Sequence, residues 1–198
     1  MSEQLAHPST QHELLDIVDD EGEPTGEIRP KNEIHRLGLQ HRDVHVWITD
    51  GTNVLEQQRI WSKKIMPGAW DILGEHVGAG ESYLDAAVRG TQEEFGLRLP
   101  AERFRPAGRL AAAMVIEPGP NQWTHRTVGD NFVVVERDLS LDSLRLQASE
   151  VIGARWYPID QLEEDIQDPE TALRHAPQPR ELWMLGITAM RGAIAAEQ

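Results

Sequence analysis

The thirteen residues Tyr83–Phe95, YLDAAVRGTQEEF, constrain this chain more than any other stretch, because both ends of an amphipathic helix are written into their flanks. Ser82 and Asp85 stand at capping-box spacing, and Gly96 supplies the residue type that tolerates the left-handed stop. On a helical wheel Leu84, Ala87, Val88, Thr91 and Phe95 share one side. Arg89, Gly90, Glu93 and Glu94 fall on the other, so the helix is expected to bury one face and present acids on the opposite one. Adjacent carboxylates repel, and a hard cation such as Mg²⁺ relieves the repulsion. Arg89 lies one turn before Glu93 and is placed to pair with it. Gly90 costs the helix about 1 kcal/mol relative to alanine, so stability does not explain it.

Around this helix the pattern alternates between strands and turns. Strands are expected over Glu13–Val18, Asp43–Thr49 and Asn53–Arg59, with Asp50-Gly51 turning the last two into a hairpin. A Gly-, Pro- and acid-rich turn is expected at Asp19–Gly26, a short helix at Pro30–Arg36 and a break at Pro67-Gly68. Strands near Arg109–Glu117 and Asn131–Glu136 flank a loop, Pro118–Gly129, that carries Trp123 and His125. Arg155-Trp156-Tyr157 reads as a last strand, and Ile159–Ile166 and Arg180–Ala196 as helices. Trp47 and Trp183 read as packing residues. Strands on both sides of one central helix, with helices to follow, indicate an α/β (α+β) domain with a mixed sheet between helices. One domain over residues 12–198 is expected, behind a loose tail at 1–11.

Composition narrows the function. With 33 acids against 19 lysines and arginines the formal charge is −14, which disfavours non-specific nucleic-acid or membrane-surface binding. An anionic substrate would need metal ions and local cations to offset that repulsion. There is no cysteine, which removes disulfides, thiolate nucleophiles and Cys-type zinc sites. No signal peptide or bilayer-length apolar run is visible, so a cytoplasmic location is the default expectation.

The segment Gly74–Leu97, GEHVGAGESYLDAAVRGTQEEFGL, resembles the Nudix box G-x5-E-x7-R-E-U-x-E-E-x-G-U, where U is a bulky apolar residue. Glu81, Arg89, Glu93, Glu94, Gly96 and Leu97 match at the motif spacing. The resemblance implies the Nudix α/β/α sandwich and a divalent cofactor, Mg²⁺ or Mn²⁺. Two positions depart: Glu75 stands at the first motif glycine, and Gly90 stands at the glutamate after the arginine. In many family members that glutamate holds metal and serves as general base. One acid disappears and another appears in the same motif, so a carboxylate exchange, Glu75 for position 90, is the reading to test; an ordinary surface role for Glu75 is the alternative.

A second layer of resemblance, carried by ELLDIVDDEGEPTGE, HRLGLQHRDVHVWI and RIWSKKIMPGAWDI, is to the isopentenyl-diphosphate-isomerase-like branch. It implies diphosphate contacts for Arg59 and Lys63, with Lys64 beside them, and guanidinium and ammonium groups suit phosphate oxygens. It also matches His35, His41 and His76 to metal-binding histidines of the isomerase, His35 only with a one-residue shift; an ordinary packing or hydrogen-bonding role for each is the alternative. Isomerase activity itself is not expected. Gly74 replaces the isomerase cysteine, and Gly129-Asp130-Asn131 keeps neither of its two later glutamates. Moving protons on a carbon skeleton needs positioned acid and base groups that are missing here.

The expected reaction is hydrolysis of a diphosphate linkage in a nucleotide or other small organic diphosphate. Glu93, Glu94, Glu81, Gly74 and His76 are the metal-side candidates, with Glu81 and Arg89 balancing charge. Arg59, Lys63, Lys64 and Trp123 are the substrate candidates; Trp123 and His125 are placed to stack on a base or cap the pocket. Glu75, Glu93 and Glu150 remain open as general base. Gly90 keeps a second class in view, a weak or inactive domain that senses a diphosphate ligand. No motif encodes the oligomeric state; a homodimer is one expectation.

Overall fold

Strand β3 (Gln40–Thr49) organises the molecule, because all but its first residue are buried and its alternate side chains feed two cores. The computed structural model describes residues 13–63, 67–115 and 123–197; the tail at 1–11 lies outside them. Val44, Val46 and Ile48 of β3 pack with Ala86, Ala87 and Phe95 of helix α2 (Tyr83–Phe95). Trp47 points the other way, onto Leu162 of helix α3 (Ile159–Gln167) and, past the short helix α4 (Pro169–Ala172), onto Trp183 and Ile187 of helix α5 (Arg180–Ala195). The period of two in a strand therefore produces an α/β/α arrangement.

The main sheet is mixed. β3 runs parallel to β8 (Thr124–Val135) over ten paired residues, and β8 pairs antiparallel with β7 (Arg105–Val115). β4 (Asn53–Arg59) pairs with β9 (Val151–Pro158) and with the two-residue β5 (Trp70–Asp71). β3 and β4 share a single register pair, Thr49↔Val54. Beyond it the two strands part, and β6 (Leu73–His76) takes the free edge of β3. A separate hairpin, β1 (Leu14–Val18) with β2 (Pro24–Pro30), carries helix α1 (Lys31–Leu37) against the sheet.

The helix boundaries follow the chemistry of their ends. The Ser82 hydroxyl accepts from the Asp85 amide at 3.1 Å, and Gly96 stops α2 at φ 71°. In α5, Gly186 lies so close to β3 that a Cβ there would sit 2.1 Å from the Trp47 ring, so the small residue sets the helix–sheet distance.

Three expectations are corrected. The turn at 19–26 is shorter, because the Asp19 carboxylate accepts from the amides of Glu21 and Glu23 and the chain resumes as β2 by Pro24. The loop expected through Gly129 ends by Thr124, where parallel pairing with β3 makes a strand of the segment holding His125. Glu94 and Gly90 do not face solvent; both are buried against the edge where β3 and β4 separate.

Candidate active site

The register of β6 on β3 decides which side chains meet. Val44 faces Glu75 and Asp43 faces His76, so two successive residues of β6 leave the strand on opposite sides. Glu75 turns toward α2, and His76 toward the histidines of α1, β3 and β8.

On the α2 side Arg89 is the hub. Its guanidinium donates to Glu81 Oε1 at 2.9 Å, to Glu93 Oε2 at 3.1 Å and to the His76 carbonyl at 2.9 Å, and lies 3.5 Å from Glu75 Oε2. Glu81 also accepts from the Gly78 amide at 2.9 Å, which ties the loop before α2 to the arginine. Glu93 is the more open acid, with 38% of its side chain exposed. Glu94 turns inward, where Gln57 of β4 donates to its carboxylate at 2.6 Å. Burial pushes the Glu94 carboxyl up to about 8, and the neighbouring Glu75 charge adds to it, against relief from Gln57 and Lys63. Burial also raises Glu75, opposed by Arg89 and Lys31. A buried carboxylate whose proton affinity is raised by burial and by the charge of half-buried Glu75 is a donor suited to a divalent cation.

Gly90 explains how Glu75 comes to stand there. A Cβ at position 90 would lie 3.2 Å from both Cβ and Cγ of Glu75. Glu75 thus fills the space that a side chain at 90 would enter.

Arg59, Lys63 and Glu150 form the rim on the β4 side. Lys63 ion-pairs with Glu150, and Arg59 lies 3.3 Å from Asp71. Burial lowers the Lys63 ammonium pKa, with Arg59 adding to the effect. Burial raises Asp71 to about 6, against the pull of Arg59. Lys64 lies outside the described residues. Gly74 pairs with His45 across β6 and β3.

The other side of β6 holds a group that sequence reasoning gathered only in part. His35 Nε2 lies 3.3 Å from His41 Nε2, 3.3 Å from His76 Nε2 and 3.4 Å from His125 Nδ1. All four ligand atoms fall within 4.8 Å of one another. A tetrahedral ion held by imidazoles at about 2.0–2.1 Å spaces its nitrogens about 3.3–3.4 Å apart. Burial lowers His35 to about 3 and His41 to about 4, and their histidine neighbours add to it, so both rings are neutral with a lone pair to offer. Two of the other ring nitrogens are occupied: His41 Nδ1 lies 3.2 Å from the Leu39 carbonyl, and His125 Nε2 lies 3.3 Å from Asp43. Trp123 stands beside this cluster, its ring 5.3 Å from that of His35. Asp43 also fixes its neighbour on β8, since a Cβ at Gly129 would lie 2.2 Å from Asp43 Oδ1.

The NUDIX domain profile matches residues 39–180. Nudix hydrolase 3 of Arabidopsis thaliana is 33% identical over 75% of the chain, and the chain spans 20% of its length. An uncharacterized Nudix hydrolase of Pseudomonas aeruginosa is 34% identical over 77% of the chain and 83% of its own. An isopentenyl-diphosphate Delta-isomerase of a Jannaschia species is 28% identical over 74% of the chain and 81% of its own. A crystal structure from Deinococcus radiodurans superposes with a TM-score of 0.66 over 89% of this chain and 99% of that one, at 20% identity. The Nudix domain of Shewanella oneidensis NrtR, solved with ADP ribose, superposes with a TM-score of 0.52 at 16% identity, covering 77% and 87%.

Proposed function

Because the chain belongs to the Nudix family, we propose that it hydrolyses a diphosphate linkage in a small organic diphosphate, using Glu94, Glu93 and Glu75 to hold a divalent cation. The observation that carries this reading is the buried Glu94 carboxyl, raised by burial and by the charge of half-buried Glu75, which itself pairs with Arg89. A bound Mg²⁺ or Mn²⁺ would neutralise pyrophosphate oxygens and acidify a water. Arg89 restrains Glu75 and Glu93 and, with Glu81, keeps the loop before α2 in place. Arg59 and Lys63 face the diphosphate from the β4 side, where Lys63 can exchange Glu150 for phosphate oxygens and Arg59 reaches them from its pair with Asp71. Glu75 and Glu150 are the carboxylates from which a water proton acceptor is drawn. The histidine cluster would hold a second, softer cation, for which neutral imidazole is the apt ligand and Mg²⁺ the poor guest.

Isomerisation is a poorer fit. Gly74 offers no side chain, and Gly129 is closed to any larger residue by Asp43. The ligand-sensing alternative is separated from hydrolysis by turnover. Phosphate and pyrophosphate release is measured over a panel of nucleoside and prenyl diphosphates with Mg²⁺ and with Mn²⁺. Metal-dependent release supports the hydrolase, and tight binding without release overturns it in favour of a sensor. For the second cation, chelator-stripped protein is expected to take up one Co²⁺ with a tetrahedral visible spectrum, lost in His41→Ala and His125→Ala but retained in Glu94→Gln. Uptake unchanged in both histidine variants contradicts the assignment.

A further inference from the structure

Away from both clusters, five ionisable or polar side chains from four segments meet in the interior. His175 is fully buried between Glu56 of β4, 2.7 Å from its Nδ1, and Asp165 of α3, 3.2 Å from its Nε2. Arg155 of β9 closes on the other oxygen of Glu56 at 2.7 Å, and Tyr157 of β9 donates to Asp165 at 2.6 Å. An imidazole held between two buried carboxylates is fixed in both ring orientation and charge.

The segment that carries His175 is in turn bonded to β5. The Trp70 amide donates to the Arg174 carbonyl at 3.3 Å, and the Ala176 amide donates to the Trp70 carbonyl at 2.7 Å. Arg155 stacks on the Trp70 ring with its guanidinium carbon 4.0 Å from the centroid. β5 is two residues long, held on one side by its pairing with β4 and on the other by these bonds to Arg174 and Ala176. The residue after Trp70 is Asp71, which lies 3.3 Å from Arg59 and 3.5 Å from the Gln178 amide nitrogen of the same segment.

We infer that His175 is a positioning residue for the diphosphate end of the site: clamped by Glu56 and Asp165, it fixes Trp70 and Asp71, and Asp71 aims the Arg59 guanidinium. This inference rests on the proposed diphosphate reading for its effect on catalysis, but not for its structural part. Burial would lower the His175 pKa; hydrogen bonds and charge from Glu56 and Asp165 overcome that and raise it. Glu56, Asp165, Arg155, Tyr157 and the more distant Arg174 are the charged or titratable groups facing the clamp. The stability the protonated imidazole contributes is whole below its unfolded value of about 6.5 and is lost as pH rises through the raised folded pKa.

The test uses His175→Gln, which keeps a polar side chain and removes the charge. KM for diphosphate hydrolysis and the Kd for Mg²⁺-pyrophosphate are expected to rise about fivefold to tenfold, with kcat within twofold of the wild type. The alkaline loss of melting temperature should flatten in the variant, and its crystal structure should show the Arg59–Asp71 pair opened. A folded variant with an intact Arg59–Asp71 pair and unchanged Kd overturns the inference. If the wild type neither binds pyrophosphate nor turns over, the diphosphate reading falls, and the variant's crystal structure still decides the positioning role. Should His175→Gln fail to fold, Gln178→Ala cuts the side-chain contact to Asp71 while leaving the buried network whole. A raised KM at constant kcat then supports the inference, and an unchanged KM overturns it.

Discussion

Glu94→Gln is expected to lower kcat/KM for metal-dependent diphosphate hydrolysis by roughly a hundredfold to a thousandfold, the scale on which removal of a charge-stabilising group acts. The substitution preserves volume and removes only the charge of a carboxylate buried against Gln57. Its second consequence has the opposite sign. Glu94 has a raised pKa because burial, and then Glu75, disfavour its ionised form. For such an acid the ionised form destabilises the fold above the unfolded pKa, and the cost grows as pH rises toward about 8. Metal-free Glu94→Gln should therefore melt higher than the wild type at pH 8, by an amount that shrinks toward pH 5. Lost activity together with a gain in metal-free stability is the signature of a residue kept for a cation. An equal loss of both would show Glu94 to be a packing residue.

The exchange between positions 75 and 90 is expected to have an effect of similar size. Glu75→Gln should reduce turnover about a hundredfold if Glu75 does the work of the missing motif glutamate. Gly90→Glu alone should not improve the enzyme, because the new Cβ would press on Glu75 at 3.2 Å. The double variant Glu75→Gly, Gly90→Glu restores the family pattern and removes the crowding, and is expected to recover activity to within about tenfold of the wild type. Steady-state kinetics of the three variants with Mn²⁺ decide the matter. Full activity in Glu75→Gln, or a double variant no better than the single, would show that the two positions are unrelated.

Much of this was legible in the chain. The bounds of α2, from Tyr83 to Phe95, followed from Ser82 and Gly96 because capping is local chemistry. Arg89 pairing with Glu93 followed from one turn of helix. The pairing of Arg89 with Glu81 did not, since it depends on the loop folding back over the helix. The helical wheel puts Glu94 with Glu93 on an open face, yet 100° of helical rotation per residue separates them and carries Glu94 under Gln57. By sequence alone His125 reads as a loop residue that stacks on or caps a ligand. Its place among the histidines depends on the parallel register of β3 with β8, which no local pattern encodes. His175 carried no motif at all, and its partners Glu56 and Asp165 are 119 and 10 residues away.

Anomalous diffraction at the manganese edge, from crystals soaked with Mn²⁺ and pyrophosphate, puts the acidic centre to its most direct test. A manganese peak bonded to carboxylate oxygens of Glu94 and Glu75, with pyrophosphate reaching toward Arg59 and Lys63, is the predicted result. Manganese found only among His35, His41, His76 and His125, with Glu94 still bonded to Gln57 alone, would contradict it.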